Sequence, residues 1–135
     1  EENKIIYKTA EHYMMAGKAR LFNDAEMEKE ILKATTPNQA KALGRKVNNF
    51  DPKLWDEHKY EIVTQGNLLK FSQNQKFKDF LLSTGDKVLV EASPYDRIWG
   101  IGMLETDNRA ENPLLWNGEN LLGFALMEVR DELRR

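Results

Sequence analysis

Cysteine is absent from this 135-residue chain, which removes disulfides, thiolate metal sites and cysteine nucleophiles together. Histidine occurs only as His12 and His58, too few for a histidine-rich metal site and poor material for a serine–histidine triad. No metal and no cofactor are expected. No apolar run approaches the roughly 20 residues of a membrane span, and nothing resembles a secretory signal. A cytoplasmic location without a membrane partner follows as the expectation. Neither charge dominates: the formal net charge of −2 gives no general pull toward nucleic acid or an anionic surface, although it leaves room for a local basic patch. What is present is ordinary globular material, 41% hydrophobic and 31% charged, which excludes a disordered class. With no repeat, low-complexity tract or linker, residues 1–135 read as a single domain.

One stretch organises the chain, from Val88 to Gly102. Val88-Leu89-Val90 reads as a buried strand, because apolar β-formers run together without alternation. Glu91 breaks the run, and Ser93-Pro94 imposes an extended turn, since proline bars its predecessor from the helical region. Asp96, Arg97, Trp99, Gly100 and Gly102 follow closely. A strand that delivers two carboxylates, a guanidinium and an indole into a loop shaped by proline and glycine is a common way to present a site. The alternative is a structural corner in which Glu91 pairs with Arg97 and Trp99 is core. The residues alone leave these two readings level.

The rest reads mostly as helix. Lys4 to Lys8 is a short strand candidate. Thr9 caps a first helix to about Phe22, in which Glu11 and Lys18 lie two turns apart, within about 20° of one face. Met15 sits between them, so an acid and an amine share an apolar face; the alternative is a solvated pair on the wet edge. Asp24 opens a second helix. Thr36-Pro37-Asn38-Gln39 opens a third with a capping box, and Arg45 near its end is a weak phosphate candidate. Asp51-Pro52 opens the longest helix, to about Ser72, with Trp55 and His58 on its apolar stripe. Trp55 could stack on a planar ring or be plain core, and His58 reads as a core histidine. Lys70 at the far end is a second-rank anion contact. A further helix carries Phe77, Phe80 and Leu81 and stops at Gly85. Residues 103–116 read as a long mobile loop, a lid or specificity element. Asn120 caps the last helix. The sum is an α+β fold, helix-dominated with about six helices and a small sheet.

The string from Leu89 to Gly102 resembles the signature of the NADAR (YbiA-like) family. Other pieces occur in that family's order: Glu11-His12-Tyr13 with Lys18-Ala19, Trp55, Lys70-Phe71, Thr84-Gly85, Trp116-Asn117-Gly118 with Asn120-Leu121-Leu122-Gly123, and Met127 with Val129-Arg130. The match runs over nearly the whole chain and implies a YbiA-like fold. It also implies hydrolysis of N-glycosidic bonds in ribose derivatives, whether intermediates of riboflavin biosynthesis or ADP-ribose attached to guanine. The partner is then a small-molecule or nucleotide substrate, with nucleic acid entering as a carrier of the modified guanine. Family members usually begin with an aromatic-rich segment, whereas this sequence starts at Glu1, close to the first helix, so the domain is expected to be short at its N-terminus.

Breaking such a bond requires protonating the departing base, stabilising a cation at C1 and activating water. Asp96 is the first choice for acid–base work or for stabilising C1. Glu11 and Glu91 are candidates to orient water, the ribose hydroxyls or Lys18. In a covalent variant Lys18 attacks C1 and the Schiff base is hydrolysed. Trp55 and Trp99 would wall the base, Arg97 or Lys70 would meet phosphate, and Asn120 joins the substrate-binding set. Two rivals remain: a non-catalytic module that binds ADP-ribose or a related nucleotide, and a structural domain whose charges are only ion pairs.

Overall fold

A computed structural model describes residues 1–135. The chain divides into two compact units, residues 1–75 and 76–135, each with its own construction.

The first unit is four helices: α1 (Ala10–Leu21), α2 (Ala25–Lys33), α3 (Pro37–Gly44) and α4 (Pro52–Ser72). Each starts at a side chain that accepts a backbone N–H of the first turn, satisfying donors that the helix itself cannot. Thr9 accepts from His12, Asp24 from Met27, Thr36 from Gln39 in a full capping box, and Asp51 from Lys53. Helix α1 is the hub and touches α2, α3 and α4. Its small residues make that possible: Ala16 and Ala19 are fully buried, with Met15, Phe22, Ile31, Ala34, Ala40 and Val47 around them. A Cβ on Gly44 would overlap the Met15 sulfur, so α3 reaches α1 only because that side chain is missing. His12 is fully buried. Its Nε2 donates to Ala34 O at 2.9 Å, and its Nδ1 accepts from the Thr9 hydroxyl at 2.7 Å. It thereby welds α1 to the end of α2.

The second unit begins within α5 (Gln75–Ser83) and ends with α6 (Leu121–Leu133). Gly85, at φ +62°, turns the chain after α5, as expected of a left-handed stop. Arg130 on α6 is buried and donates to Thr84 Oγ1 and Lys87 O, both at 2.8 Å. The stretch expected to be one long loop contains two short 3₁₀ turns, Asn108–Glu111 and Pro113–Leu115. Asp107 and Asn112 cap them, and the Trp116 indole N–H donates to Ala110 O.

The expected α+β class is overturned. The chain is helical, with no strand and no sheet, and its one β-bridge joins Glu2 to Ile5. There Asn3 and Lys4 take positive φ, so the segment expected as a strand at its start folds back as a tight turn. At Val88-Leu89-Val90 the reason is different. The groups that would pair with a neighbouring strand meet a side chain instead: Asn120 Nδ2 donates to Leu89 O, and Asn120 Oδ1 accepts from Glu91 N, both at 2.9 Å. One carboxamide replaces one rung of a ladder, and no second strand is needed to satisfy that edge.

Candidate active site

In the first unit the informative residue is Lys18. Its Nζ lies 4.5 Å from the centre of the Phe50 ring and 5.7 Å from that of Trp55, within the range of cation–π attraction. Its pKa is lowered from the ordinary lysine value, first by burial and then by the charge of Arg45. Burial penalises the ammonium, and a second cation raises that cost. The neutral amine is the nucleophilic form, so this environment favours reactivity. Glu11 sits two turns earlier on the same face of α1, half-buried. The structure thus brings Glu11, Lys18 and Trp55 to one region of the first unit.

Phe50 was not anticipated, although a local signal existed. It precedes the cap Asp51, and Trp55 occupies the fourth helical position of α4. These are the two positions of a hydrophobic staple. The entry to α4 therefore sets both rings that flank Lys18. Phe50 also meets Phe22 edge-on, centroids 5.4 Å apart. Lys70 does not join this group. It is exposed at the far end of α4, about 22 Å along the axis from Trp55 at 1.5 Å per residue, and its Nζ lies over Phe71 at 5.6 Å.

The second unit holds the remaining candidates. Asp96 Oδ1 accepts from the amides of Ile98 at 3.0 Å and Trp99 at 2.8 Å. This turn, stapled by an aspartate, is a common way to fix a tight loop. Oδ2 has no hydrogen-bond partner in the protein, and Asp96 is half-buried. Ile101 N closes the loop onto Glu91 O at 2.9 Å. The carbonyls of Arg97, Ile98, Trp99 and Gly100 accept from the amides of Glu119, Leu121, Leu122 and Asn120. The first amides of α6 are thus satisfied by this loop. That is why Asn120, although it occupies the cap position, makes no side-chain bond to the helix. Its φ is +53°, a conformation that asparagine tolerates better than most residues.

Asn120 is fully buried and its carboxamide is committed to Leu89 and Glu91. In that position it holds the loop. Glu91 and Arg97 are both exposed, and no ion pair joins them. The structural-corner reading loses the pair on which it rested. Trp99 is half-buried.

Two clefts lie apart from these residues. One of about 340 Å³ opens in the first unit, lined by Tyr13, Gly17, Arg20, His58, Ile62 and Gln65. These α1 residues point away from the face that carries Glu11 and Lys18. Another of about 370 Å³ in the second unit is lined by Pro94, Gly102, Met103, Leu104, Thr106 and Arg109. None of the expected site residues lines either one. The chemistry at Lys18 carries more weight here than the volume of a cleft, because its lowered pKa marks an environment suited to a reaction.

The family model described as the NADAR domain matches residues 1–134. Over 128 residues the chain is 52% identical to an N-glycosidase of Acanthamoeba polyphaga mimivirus, covering 93% of this chain and 74% of that protein. An N-glycosidase of Nostoc punctiforme is 39% identical over 128 residues, covering 95% of this chain and 75% of the relative. Among solved structures, the NMR structure of the E. coli protein YbiA aligns with a TM-score of 0.79 at 29% identity, covering 98% of this chain and 71% of that one.

Proposed function

The chain belongs to the NADAR domain family and is an N-glycosidase, and from that premise we propose that it hydrolyses the bond between a ribose C1 and a planar nitrogen base. The two substrates proposed are ADP-ribose attached to guanine and the ribosylamino-pyrimidine phosphate of riboflavin synthesis. The observation that carries this reading is the position of Lys18, an amine with a lowered pKa beside two aromatic rings. Phe50 keeps 43% of its surface exposed, so a flat base has a ring to stack on.

Four steps follow from this chemistry. The neutral Lys18 amine attacks C1 while the C1–N bond breaks and the departing base takes a proton. Opening of the ribose ring gives a protonated Schiff base between Lys18 and C1. Water adds to that carbon and expels the amine, which regenerates Lys18 and releases the free sugar. Assistance to water or the ribose hydroxyls is assigned to Glu11, on the face of α1 that carries Lys18.

The test is a chromatographic assay of the purified chain against both substrates, repeated with borohydride present. Release of a free base, together with a sugar adduct on Lys18 located by mass spectrometry, is the expected result. Base release without any adduct would eliminate the covalent route and leave direct attack by water. ADP-ribose bound in a calorimeter with both substrates intact would instead make this a binding module.

A further inference from the structure

We infer that the outer edge of residues 87–91 is an interface for a second copy of this chain, paired antiparallel about Leu89. Four groups of the inward edge are engaged. Lys87 O accepts from Arg130, Leu89 O and Glu91 N share the carboxamide of Asn120, and Glu91 O accepts from Ile101 N. That one amide reaches residues two apart is the mark of extended backbone, in which alternate residues point their N–H and C=O groups to opposite edges. Val88 and Val90 therefore direct theirs outward. Neither residue has a hydrogen bond to any group of the protein. The two residues are 59% and 40% exposed. An exposed, unpaired edge of β-branched residues is what a second strand adds to.

Charge selects the occupant. With Leu89 on a two-fold axis, Val88 of one copy faces Val90 of the other, and each such pair exchanges both backbone hydrogen bonds. The same register sets Lys87 opposite Glu91 of the second copy at both ends. Both side chains are exposed and neither is engaged in an ion pair. Facing opposite charges and facing β-branched residues are the favourable cross-strand pairs. A parallel pairing in register would set Lys87 against Lys87 and Glu91 against Glu91, which like charges oppose.

Sedimentation equilibrium of the full chain over a range of concentrations tests this. The wild type is expected to show a monomer–dimer equilibrium. Lys87→Glu turns both end pairs repulsive and should weaken the dimer about tenfold or more. Adding Glu91→Lys to it recreates opposite charges and should restore the wild-type constant. Circular dichroism melts of each variant confirm that the fold persists. Hydrogen exchange at the Val88 and Val90 amides should slow as concentration rises. A wild type that stays monomeric throughout, a Lys87→Glu chain that dimerises like the wild type, or a swapped double variant that remains weak would each overturn the proposal. So would amides at 88 and 90 that are protected equally at every concentration, because something in the same molecule would then cover the edge.

Discussion

Lys18 holds its Nζ 4.5 Å from the centre of the Phe50 ring, while Arg45 places a second positive charge in its field. The ring tolerates either form of the amine, but burial and the guanidinium both disfavour the charged one. The same surroundings thus make Lys18 a costly cation and a better nucleophile.

Lys18→Met should abolish turnover and the borohydride adduct. Methionine is close in length and suits an aromatic, partly buried setting, and the variant no longer desolvates an ammonium. Its melting temperature is expected to equal or exceed that of the wild type. Loss of activity with a lower melting point would mean that the lysine is structural.

Turnover should rise with pH through the Lys18 ionisation, at an inflection below the ordinary lysine value of 10.5. Arg45→Met removes the neighbouring charge and should move that inflection upward in a profile of kcat/KM against pH. The sign for stability follows from linkage. Between the lowered folded value and 10.5 the unfolded chain binds more protons, so the wild type gains stability as pH rises through that window. Urea unfolding at several pH values, compared with Lys18→Met, isolates the contribution of this group.

Asp96→Asn keeps an Oδ1 to accept from Ile98 and Trp99, and so should preserve the loop and the melting temperature while turnover is lost. Asp96→Ala removes the acceptor as well and should cost about 1–2 kcal/mol in addition. If Asp96→Asn retains activity, the carboxylate only staples the turn.

Asn120→Ala leaves Leu89 O and Glu91 N without their shared partner and puts a less tolerant residue at φ +53°. The expected loss is about 3 kcal/mol in urea unfolding. Asn120→Asp offers no rescue, because it removes the donor to Leu89 and buries a carboxylate. Full stability in either variant would show that another group can close the loop.

Much of the first unit is legible locally. Thr9, Asp24, Thr36 with Gln39, and Asp51 each announce a helix start, because a cap bonds within three residues of itself. The Glu11–Lys18 face follows from helical spacing, and the staple positions of Phe50 and Trp55 stand side by side with the Asp51 cap. The second unit is less open to such reading. Val88-Leu89-Val90 carries every local mark of a strand, yet strandhood depends on what meets its backbone, and that partner lies about thirty positions away at Asn120.

The sequence by itself therefore determined the helices, the caps of the first unit and the residue types available for N-glycoside chemistry, since these depend on neighbours within a turn or two. Tertiary structure alone decided that the expected sheet is replaced by one buried carboxamide, that of Asn120. It also decided that Lys18 meets Phe50 and Arg45, 32 and 27 residues further on. Hydrogen-bond partners and a lowered pKa are properties of what packs nearby, and packing joins residues whose separation along the chain no local pattern encodes.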